Sequence, residues 1–212
     1  MELIFVRHGE SEANVKNLFY GSSDYPLTDL GKAQAEKAGK ILRAMDFTPD
    51  RIYVSSLVRT HETLTAMGYS LEDAERDSRL DERHLGTMEG FRYEELLERH
   101  PGVFEEWRSN FLEYRPGGGE SLLDVHSRVR DFLDEMKTLY HNGEKLLVVC
   151  HGGTMKTVLA RVFGAEIDTF AKIEIYNCSL MRIRENAHGF FLDALINIED
   201  YPEDLASLEG TS

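Results

Sequence analysis

Leu3-Ile4-Phe5-Val6-Arg7-His8-Gly9 and Leu146-Leu147-Val148-Val149-Cys150-His151-Gly152 are two apolar runs that end alike in His-Gly. Four or five aliphatic and β-branched residues without alternation suit a strand covered on both faces, as in the middle of a parallel or mixed α/β sheet. Each imidazole then stands at a strand's carboxyl end, where open α/β sheets bind their ligands. Two central strands ending alike therefore predict His8 and His151 in one site. The glycine that follows each is expected to let backbone approach the ligand closely.

Working outward, Glu10 to Tyr25 is polar and turn-rich and reads as a loop over the first strand's end. Thr28 is expected to cap a helix running to about Met45, with Ala38, Ile41, Leu42 and Met45 as its inner stripe. Arg51 to Val54 reads as a second strand and Ser55-Ser56 as the cap of a helix carrying Leu57, Leu64 and Met67. Arg59 falls in that helix's first turn, where guanidinium and free backbone N–H groups are expected to hold one anion together. Between Leu85 and Gly119 two short amphipathic segments, Tyr93 to His100 and Val103 to Leu112, form an expected insertion over the site. Ser121 and Asp124 form a capping box for a helix to about Tyr140. Thr154 to Phe163 is a further helix stopped by Gly164. Ile173 to Ile183 and Phe190 to Ile196 read as final strands, and the acidic tail 199–212 is expected to be partly disordered.

The 212 residues, 42% hydrophobic, fit one α/β domain over 1–198. No apolar run reaches the length of a membrane span, and Met1-Glu2 opens the first strand without a targeting segment, so a cytoplasmic location is expected. Cys150 and Cys178 lie in apolar runs and are expected to be buried free thiols. With 24 basic and 38 acidic residues the formal charge is −14, which argues against nonspecific binding to nucleic acid or an anionic membrane. An anionic small molecule remains compatible, because Arg7, His8, Arg59 and His151 supply local positive potential.

Neutral imidazole is a nucleophile near neutral pH, and the phosphohistidine it forms is labile enough for a second step. Phosphoryl transfer depends mostly on positioning and on cations around the non-bridging oxygens, a task for the forks of Arg7 and Arg59. The leaving oxygen needs a proton, and Leu80-Asp81-Glu82-Arg83 offers two carboxyl groups for it.

The segments Leu3 to Asn14, Pro26 through Gln34, Ser55 to Thr60, Leu80 to Gly90, Gly118-Gly119-Glu120-Ser121 and His151-Gly152-Gly153 occur in the order seen in the histidine phosphatase superfamily. The set resembles its phosphoglycerate mutase-like branch. The resemblance implies a three-layer α/β/α sandwich with a mostly parallel central sheet, and a metal-independent enzyme without a cofactor. It further implies His8 as phosphorylated nucleophile, Glu82 as proton donor and then acceptor, and Arg7, Arg59 and His151 as phosphate ligands. Asn14 corresponds to another phosphate-contacting position, and Gly152 falls in the substrate-binding set.

Phosphatases and mutases of this kind share those groups. Leu80 to Gly86 looks mutase-like, whereas Gly118 to Ser121 looks like the phosphatases. Tyr20 to Thr28 is similar to the branch holding α-ribazole phosphatases and broad-specificity bacterial phosphatases. The mutases carry an Arg-Arg pair in their insertion. Here Arg92, Arg99, Arg108 and Arg115 are scattered among glutamates between Leu85 and Gly119, which weakens retention of a bisphosphate. The expected activity is a phosphomonoesterase acting on a small phosphorylated metabolite, with a cofactor-dependent phosphoglycerate mutase as the alternative and a noncatalytic phospholigand-binding module as a third reading. A metal-dependent hydrolase using His8, His151 and Glu82 lacks the usual ligand spacings. The expected partner is a small phosphate ester, with self-association as a homodimer left open.

Plainer readings stand beside these. An ion pair would explain Arg59 with Glu82. Helix capping and turns would explain Ser11, Ser55 and Ser56. Trp107, Phe104, Phe111 and Tyr114 read as packing residues before they read as a wall over a substrate. His61, His84, His100, His126, His141 and His188 are assigned no role.

Overall fold

A computed structural model describes residues 1–200 of the chain. The first apolar run is β1 (Glu2–Arg7) and the run into His151 is β4 (Lys145–Cys150). They are parallel neighbours at the middle of a six-stranded sheet, with Phe5 opposite Val148 and Arg7 opposite Cys150. Their central residues are completely buried because the sheet is covered on both faces. The remaining strands are β2 (Arg51–Val54), β3 (Ala74–Arg76), β5 (Leu180–Asn186) and β6 (Gly189–Ile196), in the order β3-β2-β4-β1-β5-β6. β5 alone runs against its neighbours, so the sheet is mixed but mostly parallel.

The alternation of side chains along each strand divides the core into two layers. Leu3, Phe5, Leu146 and Val148 pack against α6 (Leu122–Leu139) and α7 (Gly152–Phe163). Ile4, Val6, Leu147 and Val149 pack against α2 (Asp29–Ala44) and α3 (Val58–Ala66). Each fully buried aliphatic side chain contributes roughly 1.5–3 kcal/mol of transfer free energy, so the two runs anchor both layers. Among the described residues no helix is long and apolar enough to cross a membrane. Cys150 and Cys178 are buried and unpaired.

Several expectations change. The loop expected over Glu10 to Tyr25 contains a short helix, α1 (Glu12–Lys16), closed by a capping box between Ser11 and Asn14. It buries only Ala13, so no apolar stripe announces it. The strand expected from Ile173 begins only at Leu180. Before it a 3-10 turn covers Ile167–Lys172, and Cys178, at φ 56°, donates its N–H to the carbonyls of Arg7 and His8. β3 has no apolar signature because it is a three-residue edge strand of largely exposed residues. Ser55 and Ser56 do not cap α3, whose N-cap is Leu57 without a side-chain bond. α7 begins at Gly152, two residues before Thr154. The fold itself requires the glycine at position 9. A Cβ there would lie 2.3 Å from the carbonyl oxygen of Gly31, where α2's first turn crosses the end of β1. Of the tail, Glu199 and Asp200 end a 3-10 turn whose Ile198 is buried, and 201–212 lie outside the described residues.

Between Leu85 and Gly119 two short helices, α4 (Tyr93–Arg99) and α5 (Val103–Ser109), are tied back to the segment after α1. Phe19 N donates to Phe91 O at 2.8 Å, and Gly90 N donates to Phe19 O at 2.8 Å. The Glu89 carboxylate accepts from the N–H and hydroxyl groups of Ser22 and Ser23 and from Leu85 N. Burial opposes its charge, but these bonds hold its carboxyl below the ordinary range.

Candidate active site

Because β1 and β4 are neighbours in register, the residues that follow them emerge side by side. The His8 and His151 ring centroids are 5.2 Å apart, and His8 N donates to Cys150 O at 3.0 Å. A cavity of about 370 Å³ opens there. Arg7, His8, Asn14, Glu82 and Gly152 line it, joined by Tyr20, Arg83, Trp107 and Lys156. Arg59 and His151 are completely buried and do not line it; His151 lies against the His8 ring, and Arg59 against His151. Arg7, His8, Asn14, Arg59, Glu82, His151 and Gly152 are thus brought together.

His8 is 2% exposed. Its Nδ1 lies 2.7 Å from the carbonyl oxygen of Gly9, an acceptor only, so Nδ1 carries the hydrogen and Nε2 keeps its lone pair. Burial, followed by the charges of Arg59 and Arg7, lowers the pKa of this ring well below the ordinary histidine value. An imidazole that is neutral, oriented and open at Nε2 is suited to nucleophilic attack.

The Arg59 guanidinium spends three of its five N–H groups on the chain: Nε on His151 Nδ1 at 3.2 Å, Nη1 on Ser23 O at 3.0 Å and Nη2 on Gly21 O at 2.7 Å. It also stacks 4.8 Å from the Tyr20 ring centroid. Two backbone N–H groups leading into α3, expected to be open to an anion, are taken by carboxylates. Val58 N donates to Asp24 at 2.8 Å and Ser56 N to Asp81 at 2.8 Å. Arg7 donates through Nη1 to Ile175 O, while its buried Nε has no partner. That N–H lies beside Gly152, where an added Cβ would be 3.5 Å from it. An unsatisfied guanidinium donor at a cavity wall fits an oxyanion.

Of the two adjacent carboxylates, only Glu82 lines the cavity. It accepts from Gly153 N at 3.0 Å and Arg83 N at 2.9 Å. Asp81 points the other way, accepting from Ser55 Oγ at 2.7 Å and from Ser56. Asn14 uses its side-chain oxygen to receive Ser11 N and Ser11 Oγ. Trp107 lines the cavity, and its buried Nε1 has no partner. Phe104 and Phe111 line a separate groove with Phe19 and Tyr93, and Trp107, which packs against Phe19, Phe104 and Tyr114, stands between that groove and the cavity. His61 is half-buried, with Nε2 2.9 Å from Ser55 O, and supports the turn before α3. Tyr20 and the Ser55–Asp81 pair carry no periodic or spacing signal, since long-range packing alone assembles them.

His151 is likewise lowered well below the ordinary value, by burial first and then by Arg59, His8, Arg128 and Arg7. Both histidines are held neutral in the folded chain and revert toward 6.5 when it unfolds. The unfolded state therefore binds more protons at acid pH, so stability is complete above about pH 6.5 and falls as pH drops from there toward the depressed values. Thermal melts are expected to show this acid slope, shallower in His8→Ala; an identical slope in the variant would contradict it.

The family model for the histidine phosphatase superfamily (branch 1) matches residues 3–198, and the chain belongs to that superfamily. A 2,3-bisphosphoglycerate-dependent phosphoglycerate mutase of Gloeobacter violaceus is 32% identical over 203 residues, 92% of this chain and 90% of that protein. The α-ribazole phosphatase of Shigella flexneri shares the fold with a TM-score of 0.83 and 24% identity, covering 93% of this chain and 97% of the other. A mycobacterial glucosyl-3-phosphoglycerate phosphatase, solved with VO3, gives a TM-score of 0.77 at 26% identity, covering 91% and 97%. The chain is a histidine phosphatase superfamily enzyme whose relatives include both phosphatases and mutases.

Proposed function

We propose that this enzyme hydrolyses small phosphate monoesters through a phosphohistidine at His8. Nε2 of the neutral ring attacks phosphorus while Nδ1–H stays on Gly9 O. The three non-bridging oxygens are received by Arg7, through its unspent Nε, and by Arg59. As the ester bond breaks, Glu82 gives its proton to the leaving oxygen. Glu82, now a carboxylate, takes a proton from the water that attacks the phosphohistidine. Orthophosphate leaves and both side chains return to their starting forms, with no metal needed in either step.

The observation that carries hydrolysis over mutase chemistry is the placement of positive charge. None of the four insertion arginines lines the cavity. Arg92 is turned to Lys16 O, Arg99 lies over Phe91, Arg115 pairs with Asp124 and Arg108 faces the separate groove. Arg83, which does reach the wall, gives two of its five N–H groups to Glu120 O and Tyr114 O and stacks 5.0 Å from the Trp107 ring. A second phosphate would meet the carboxylates of Glu82 and Glu174 at the cavity wall. The likeness to the Gloeobacter mutase favours the other reading, and one assay separates them. We expect orthophosphate release from a panel of phosphomonoesters, unaffected by chelator and inhibited by vanadate. We expect no interconversion of 2- and 3-phosphoglycerate. Primer-dependent interconversion at a rate above hydrolysis would reverse the assignment.

A further inference from the structure

The second histidine is wired to a carboxylate that the reaction above does not use. Asp81 only accepts, so the single hydrogen of Ser55 Oγ, 2.7 Å from it, points to Asp81. Ser55 Oγ then has only lone pairs for His151, and Nε2 of that ring, 2.8 Å away, must be the donor. At the ring's other side Arg59 Nε is a donor only, so Nδ1 accepts. Both ends dictate one tautomer, and donation runs one way: Arg59 to His151 to Ser55 to Asp81. Two further bonds from Ser56, through its N–H and its hydroxyl, fix the carboxylate. Thr154 Oγ1 donates to the carbonyls of Leu80 and Asp81 and holds the backbone that carries it.

In this arrangement both ring nitrogens are occupied and His151 has no hydrogen to offer a phosphate. We infer that Asp81 and Ser55 are positioning residues that let His151 take up a proton on Nδ1 when a phosphate enters, turning that nitrogen from acceptor to donor. Nδ1–H and Arg59 Nε–H, now released from each other, both donate to one phosphate oxygen, while Nε2–H stays on Ser55. The proton comes from solvent, or from the phosphate itself when it enters as the monoanion. The charged and titratable groups around the ring are Arg59 on α3, Arg7 at the end of β1 and His8 after it, Arg128 on α6, and Asp81 and Glu82 on the segment between α3 and α6. The three arginines oppose protonation of the empty site. The phosphate reverses the balance only because Asp81 already sits at the far end of the chain.

This inference rests on the phosphate-site reading, and calorimetry with inorganic phosphate tests it separately. Binding is measured at pH 7.5 in two buffers of different ionisation enthalpy, for the wild type, Asp81→Asn and Ser55→Ala. The wild type is expected to take up about one proton more per phosphate than either variant, and comparison with the variants cancels the ionisation of phosphate itself. Nitrogen-15 spectra of the free protein should show His151 with its hydrogen on Nε2, and a loss of that preference in Ser55→Ala. A merely structural role would lower melting temperature and affinity but leave proton count and tautomer unchanged. Equal proton uptake in the wild type and a folded variant overturns the inference, with Ser55→Ala deciding if Asp81→Asn does not fold. Absence of phosphate binding to the wild type would instead overturn the functional reading.

Discussion

His8→Ala is expected to abolish turnover, by about 10³-fold or more in kcat, while the protein stays folded. Of the two neighbouring histidines, His8 lines the cavity and keeps a free lone pair on Nε2, whereas His151 has both nitrogens engaged. Alanine therefore leaves nothing to accept the phosphoryl group, whatever the arginines still bind. The stability cost is small for a buried residue. His8 stands at the wall of an open cavity of about 370 Å³, so water fills the space and no dry void is created. Its backbone bonds, His8 N to Cys150 O and Cys178 N to His8 O, do not involve the side chain. Rapid-quench trapping with labelled substrate should find an acid-labile phosphoryl group on the wild type and none on the variant. Comparable phosphate release from a folded His8→Ala protein would remove His8 from the nucleophile's role.

The second large effect is expected at Glu82, and it depends on the leaving group. Glu82→Gln should cost about 10²- to 10⁴-fold with alkyl phosphates, whose leaving oxygen must be protonated, and far less with nitrophenyl phosphate. The substitution preserves size but removes the proton. It also sets an NH2 group against one of the two amides, Gly153 N or Arg83 N, that now donate to the carboxylate. Gly153→Ala separates these contributions. Its Cβ would lie 2.3 Å from Glu82 Oε1 and must push that carboxylate aside without altering its chemistry. The same leaving-group dependence, at smaller magnitude, is expected. A plot of log kcat against leaving-group pKa should steepen in both variants; parallel lines with the wild type would exclude Glu82 as the acid.

The sheet was legible because its two central strands are buried on both faces, so each is apolar without alternation, and the same burial brings their shared ending to one edge. The helices α2, α6 and α7 were legible for the same reason, since each has a stripe of one face to bury. α1 was not. Its Ser11–Asn14 capping box is local, but one buried alanine leaves no stripe to read. Nor was the end of the apolar run Ile173 to Ile183, where a positive φ at Cys178 and backbone bonds to Arg7 and His8 turn an apparent strand into a loop.

At the site, residue types and order alone marked Arg7, His8, Arg59, Glu82 and His151, because phosphoryl transfer needs a nucleophile, cations and an acid, and few side chains serve. What those side chains do with their hydrogens was settled by tertiary packing. Asp81 and Glu82 are adjacent in the chain, yet one faces the cavity and the other binds Ser55 and Ser56 behind it. Four arginines between Leu85 and Gly119 are indistinguishable in sequence from ligands of a second phosphate, and each is directed elsewhere. Burial patterns are written along the chain because each residue's polarity is its own property. The direction of a hydrogen bond is not, because it belongs to a pair of groups that only the folded chain brings within 3 Å.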